Sequence, residues 1–123
     1  METNSKDLMK ALPDFSDLQG VIDAMKALNI QKMSLDKQIK EQESNTFSTV
    51  MTDEKYMVNG KTPAVNFYDN AYKYKGIDGN LLSLRQQYIE VTAELDAMKL
   101  KYELYKEMLD MFKTLVYQEK GMV

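Results

Sequence analysis

LLSLRQQYIEVTAELDAMKLKYELYKEMLDMFKTLV, residues 81–116, decides the fold of this chain. Leu81, Tyr88, Leu95, Tyr102, Leu109 and Val116 recur every seven residues, and Leu84, Val91, Met98, Tyr105 and Phe112 interleave with them. Spacings that alternate three and four place all these side chains on one stripe of an α-helix. Neither glycine nor proline interrupts the run. At a rise of ~1.5 Å per residue, a helix over 80–117 would extend about 57 Å. Asp78 or Asn80 can cap its start, with Ile77 and Leu82 as a hydrophobic staple if Asp78 is the cap. Gly121 suits the left-handed residue just past the last turn, beside Lys120 at the negative end of the dipole.

A second apolar stripe runs along the C-terminal half of the same segment: Ala97, Leu100, Leu104, Met108, Met111 and Leu115. One neighbouring helix covers one stripe, so a helix with two stripes requires two neighbours. Leu100, Leu104, Met108, Met111 and Leu115 are therefore the expected oligomer interface. Three tyrosines on the first stripe and flanking pairs of mixed sign (Glu94 opposite Lys99, but Lys101 opposite Lys106) argue against a plain parallel dimer. An antiparallel pairing or wider bundle fits better.

Upstream, Ser16 followed by Gln19 has capping-box spacing. Leu18, Val21, Ile22, Met25, Leu28, Leu35 and Ile39 continue as a helical stripe, broken at Lys32 and weakened at Gly20 and Asn29. Phe47, Val50 and Met51 carry it towards residue 57, through a stretch rich in β-branched residues. The expected architecture is all-α: a long antiparallel helical hairpin, coiled-coil-like and assembling into an oligomeric bundle. Its parts are a flexible N-terminal arm (1–13) and a single domain (14–121), with long helices over about 16–57 and 80–118 and a tip over 58–79.

The tip admits two readings. Asn59-Gly60 between apolar residues is a hairpin signal, but Pro63 falls where a second strand would begin. The preferred alternative is a short helix over about 63–75, capped by Thr62 and stopped by Gly76, with Ala64, Phe67, Tyr68, Ala71 and Tyr72 on one stripe. Its end, AYKYKG (71–76), alternates rings with ammonium groups. Together Lys55, Tyr56, Lys61, Tyr68, Tyr72, Lys73, Tyr74 and Lys75 could stack bases and neutralise phosphates of a single-stranded nucleic acid. The competing role is structural: Lys73 and Lys75 complement the helix dipole, and the tyrosines pack.

Composition narrows the chemistry. The 123 residues hold no cysteine and no histidine, which removes disulfides, thiolate nucleophiles, the usual zinc sites and imidazole catalysis. Fifteen lysines and one arginine, Arg85, are outweighed by acids to a net charge of −3. Nucleic-acid modules favour a basic face with several arginines. Glu103, Glu107 and Asp110 share a helix face, yet they alternate with Lys99, Lys106 and Lys113 as a solvated surface does. No cofactor, no small-molecule substrate and no enzymatic activity are expected.

No apolar run reaches the ~18 residues of a membrane span, and METNSKDLMK lacks the pattern of a signal peptide. The polar helix faces carry as many acids as lysines, which disfavours an anionic membrane surface. A cytoplasmic location is the expectation. The functional expectation is a non-enzymatic assembly or adaptor protein acting as a homo-oligomer. The alternatives are a recombination or replication helper of phage or plasmid type that binds single strands, and a holdase using its ten methionines. The layout of two long helices with a small tip resembles prefoldin-like chaperones, a likeness that no residue motif carries.

Overall fold

The computed structural model describes residues 4–121. Their helices are α1 (Ser5–Ala11), α2 (Phe15–Thr52), α3 (Val65–Tyr68, which runs on as a π turn, Asp69–Lys73) and α4 (Asn80–Glu119). A 3₁₀ turn, Glu54–Tyr56, follows α2. The chain is all-helical, and α2 and α4 pack against each other. It divides into two compact units, Ile30–Thr92 and the remainder on either side.

Within Ile30–Thr92, Leu35, Ile39 and Val50 on α2 and Leu81 on α4 are buried together with Tyr68 of α3. The α2 residues follow helical spacing, with Thr46 buried on the same side. Glu43 meets Arg85, and Gln42 meets Asn80. Lys32 lies over the Tyr88 ring at 5.7 Å. Later residues of α2 thus face earlier residues of α4, as in an antiparallel pair.

The long first helix ends at Thr52 rather than near residue 57. Asp53 leaves the helical region (φ −82°, ψ 128°), and its carboxylate accepts from the Lys55 amide at 3.0 Å. An aspartate that caps the next turn competes with the helix for its own backbone. After it, Asn59 (φ 54°) and Gly60 (φ 75°) form a tight reverse turn. Val58 and Lys61 close it through paired amide–carbonyl bonds of 2.8 and 3.0 Å. This is the geometry that Asn-Gly favours. The short helix forms as well, over 65–73 rather than 63–75, and Thr62 does not cap it; Ala64 holds that position without a side-chain bond. Both readings of the tip therefore hold in part. A second left-handed pair, Asp78 and Gly79, turns the chain into α4. Asn80 then accepts from the Leu81 amide at 2.9 Å.

In the other unit, Val21 and Leu95 are buried, as is Leu8 of α1. Leu18 and Ile22 of α2 share a cleft with Tyr102 and Leu109 of α4. Met25 and Asn29 lie beside Leu95 and Lys99. The direction is again antiparallel. The start of α2 uses Asp14 rather than Ser16 as cap. Its carboxylate accepts from the Asp17 amide at 2.8 Å, and the Asp17 carboxylate accepts from the Asp14 amide at 3.1 Å. Ser16 already lies inside α2 and donates its hydroxyl to Asp14. These bonds hold the Asp14 carboxyl below the usual carboxylate range.

The segment expected as a flexible arm contains α1. Asn4 accepts from the Asp7 amide as N-cap, and the Ser5 amide and hydroxyl both donate to the Glu119 carboxylate. Those two bonds hold the Glu119 acid below its ordinary pKa. Residues 1–3 of the arm lie outside the described residues. Gly121 takes the left-handed conformation expected past the end of α4 (φ 69°).

Candidate functional sites: an aromatic tip and an uncovered helix face

At the tip, the rings are used by one another. Tyr72 meets Tyr56 edge-on at 5.7 Å and Phe67 at 6.2 Å, and it lies tilted against Tyr68 at 6.3 Å. Phe47 from α2 closes the cluster on Tyr68 at 5.1 Å. Edge-to-face pairs of this kind add about 0.5–1.5 kcal/mol each beyond area burial. Burial pushes the Tyr68 phenol above its ordinary pKa.

The one arginine of the chain ties this tip to both long helices. Arg85 Nη2 is 2.9 Å from Glu43 Oε1. Its Nε donates to the Tyr74 carbonyl at 3.0 Å, and Nη2 also reaches the Lys73 carbonyl at 3.2 Å. The guanidinium lies 4.9 Å from the centre of the Tyr74 ring. A planar fork with several fixed donors can serve a carboxylate, two carbonyls and a ring at once, which an ammonium cannot. Composition showed Arg85 as a lone arginine and nothing more. Its partners are main-chain carbonyls and an acid 42 residues away, which leave no mark in the local pattern. Arg85→Ala should cost on the order of 2 kcal/mol in urea unfolding, because a charge-assisted pair and two carbonyl bonds are lost. Arg85→Lys should recover only part of that.

The proposed nucleic-acid residues fall around this cluster in different roles. Tyr56 and Tyr72 are half-buried in it, while Lys55, Lys61, Lys73 and Lys75 are exposed. Tyr74 is 58% exposed beneath Arg85. The Lys75 carbonyl accepts from the Leu81 amide, so the backbone of AYKYKG stitches the tip to α4. Lys55, Lys61, Lys73 and Lys75 are matched within 53–79 by Asp53, Glu54, Asp69 and Asp78. Beside Arg85 a groove of about 340 Å³ is lined by Asp36, Ile39, Lys40, Glu43, Tyr74 and Tyr88 among others. Lys40 is already paired with Asp36 at 3.0 Å. Among the described residues, no group of three or more acids is placed to hold a metal ion, Glu103, Glu107 and Asp110 included.

The second stripe of α4 has a different character. Leu100 is 66% exposed, Leu104 54% and Met111 53%, while Met108 and Leu115 are half-buried. The first stripe on the same stretch is better covered: Leu95 is buried, Met98, Tyr105, Leu109, Phe112 and Val116 are half-buried, and Tyr102 is 37% exposed. The exposed stripe also keeps a different beat. Ala97 and Met108, Leu100 and Met111, and Leu104 and Leu115 are each eleven residues apart. An eleven-residue repeat follows an almost straight helix, whereas the heptad facing α2 drifts around it.

No known family, curated protein or solved structure matches this chain. No helix among the described residues is long and apolar enough to cross a membrane.

Proposed function

We propose that this is a non-enzymatic assembly or adaptor protein whose working surface is the second stripe of α4: Leu100, Leu104, Met108, Met111 and Leu115. The exposure of Leu100, Leu104 and Met111 carries the reading. Three large apolar side chains on one straight line of a helix are a docking face in search of a helix.

Alone, the chain would associate with a second copy through this face.

Light-scattering mass after size exclusion tests the reading. The natural chain should run as an oligomer, and Leu104→Glu with Met108→Glu should give a smaller species of unchanged helicity. If the double variant has the same mass as the natural chain, the stripe is not the interface. A short single-stranded oligonucleotide in a parallel run tests the alternative at the tip. Co-elution that fades as salt rises would favour Lys55, Lys61, Lys73 and Lys75 as phosphate contacts.

A further inference from the structure

The edges of the docking stripe bear on what it docks. At about 100° per residue, Asp96, Glu103, Glu107 and Asp110 fall on one side of the line through Leu100, Leu104 and Met111. All four acids are exposed. Lys99, Lys106 and Lys113 lie farther round, on the side away from the stripe. The opposite edge holds Lys101, which is exposed and lies 5.9 Å from the Tyr105 ring centre. The stripe is thus apolar along its line and acidic along its open edge.

A second copy answers this edge poorly. In a two-fold antiparallel pair of α4 helices, each acidic edge would lie along the same edge of the copy, with Glu103 near Glu107 and Asp110. In a parallel pair the edge would meet the side that carries Glu94 with Lys101 and is turned towards α2. Helix axes pack about 8–10 Å apart, so charges on facing edges come close enough for like signs to oppose docking.

We infer that the preferred occupant of the stripe is a basic amphipathic helix of another protein, which displaces the second copy. It would carry apolar residues at spacings of three, four and four, with lysine or arginine along the edge that faces Asp96, Glu103, Glu107 and Asp110. The apolar line supplies affinity and the acidic edge supplies selection between partners. This inference rests on the stripe being a docking face.

The test uses the full chain and two synthetic helical peptides of the same apolar spacing, one edged with lysine and arginine, the other with glutamate. Binding is read by fluorescence anisotropy, with mass and helicity followed alongside. The basic-edged peptide should bind the natural chain at one to one and lower any oligomer mass. Glu103→Lys with Glu107→Lys should weaken that binding at least tenfold at low salt and turn preference to the acidic-edged peptide. Such a gain cannot come from misfolding. Equal binding of the basic-edged peptide to the natural and charge-reversed chains overturns the inference and leaves the docking stripe in place. So does a mass that falls in L104E/M108E while neither peptide binds the natural chain, because the stripe then belongs to the copy. Peptide binding and mass that both ignore L104E/M108E overturn the inference and the docking face together.

Discussion

Gly76→Ala should lower the unfolding free energy by about 3 kcal/mol, from left-handed strain plus a forced rearrangement of packed neighbours. Gly76 has φ +76°, and a Cβ there would lie 1.9 Å from Asn80 Oδ1 and 3.0 Å from the Leu81 amide nitrogen. The side chain it strikes is the one that accepts from the Leu81 amide at the start of α4. Relief by moving Asn80 would break its bonds to the Leu81 amide and to Gln42, and relief by moving Leu81 would open the core. Gly60 is the control. Its φ of +75° is the same, but nothing lies within 4 Å, so Gly60→Ala should cost only about 1 kcal/mol of backbone strain. Chemical denaturation of the two variants measures the difference. Equal losses would mean that the contact with Asn80 and Leu81 is relieved without cost.

Leu81→Ala should cost about 3 kcal/mol. Leu81 is fully buried at the point where the tip meets the first turn of α4. Large-to-small changes at such sites lose both transfer energy and the contacts across the cavity they leave. Its amide also donates to the Lys75 carbonyl, so its backbone is held from the tip and its neighbours cannot easily collapse into the gap. A loss below about 1 kcal/mol would show that the site repacks. For comparison, truncating Leu100, which is 66% exposed, should leave the stability of the single chain almost unchanged.

The long helices were legible because periodicity is a global property of a segment. Eleven heptad positions without a break leave no rival to a helix over 81–116, and α4 runs from Asn80 to Glu119. The ends were less legible, because a cap is a choice between neighbours. Ser16 and Asp14 both offer an oxygen to the first turn of α2. The reciprocal bond with Asp17 settles it for Asp14, a pairing equal in spacing to the one expected from Ser16 and Gln19. Asp53 ends α2 five residues before the apolar pattern does, since Tyr56 and Met57 remain apolar whether or not the backbone is helical. Leu8 was too isolated in sequence to reveal α1, whose tie to Glu119 crosses almost the whole chain.

The candidate sites divide the same way. The second stripe was legible as a spacing, and the structure adds that three of its residues are bare. The acids along its edge were visible only as a solvated face, because an edge has meaning once the line beside it is known to be open. At the tip, AYKYKG showed its rings but not their partners. Tyr72 is engaged by Tyr56 and Phe67 from either side of the Asn59-Gly60 turn, which no local motif encodes.

The order in which the chain closes follows from the span of its tertiary bonds. Asn80 to Gln42 and Arg85 to Glu43 enclose 38 and 42 residues, whereas Ser5 to Glu119 encloses 114. Closing the larger loop first would cost about 1 kcal/mol more in chain entropy than closing the smaller. Loop entropy therefore favours closing the turn-rich middle before the contacts of the termini. On a nascent chain the same order delays the tertiary closure of Leu100–Leu115 until last. Under the proposed function, the docking stripe would thus belong to the last part of the chain to close.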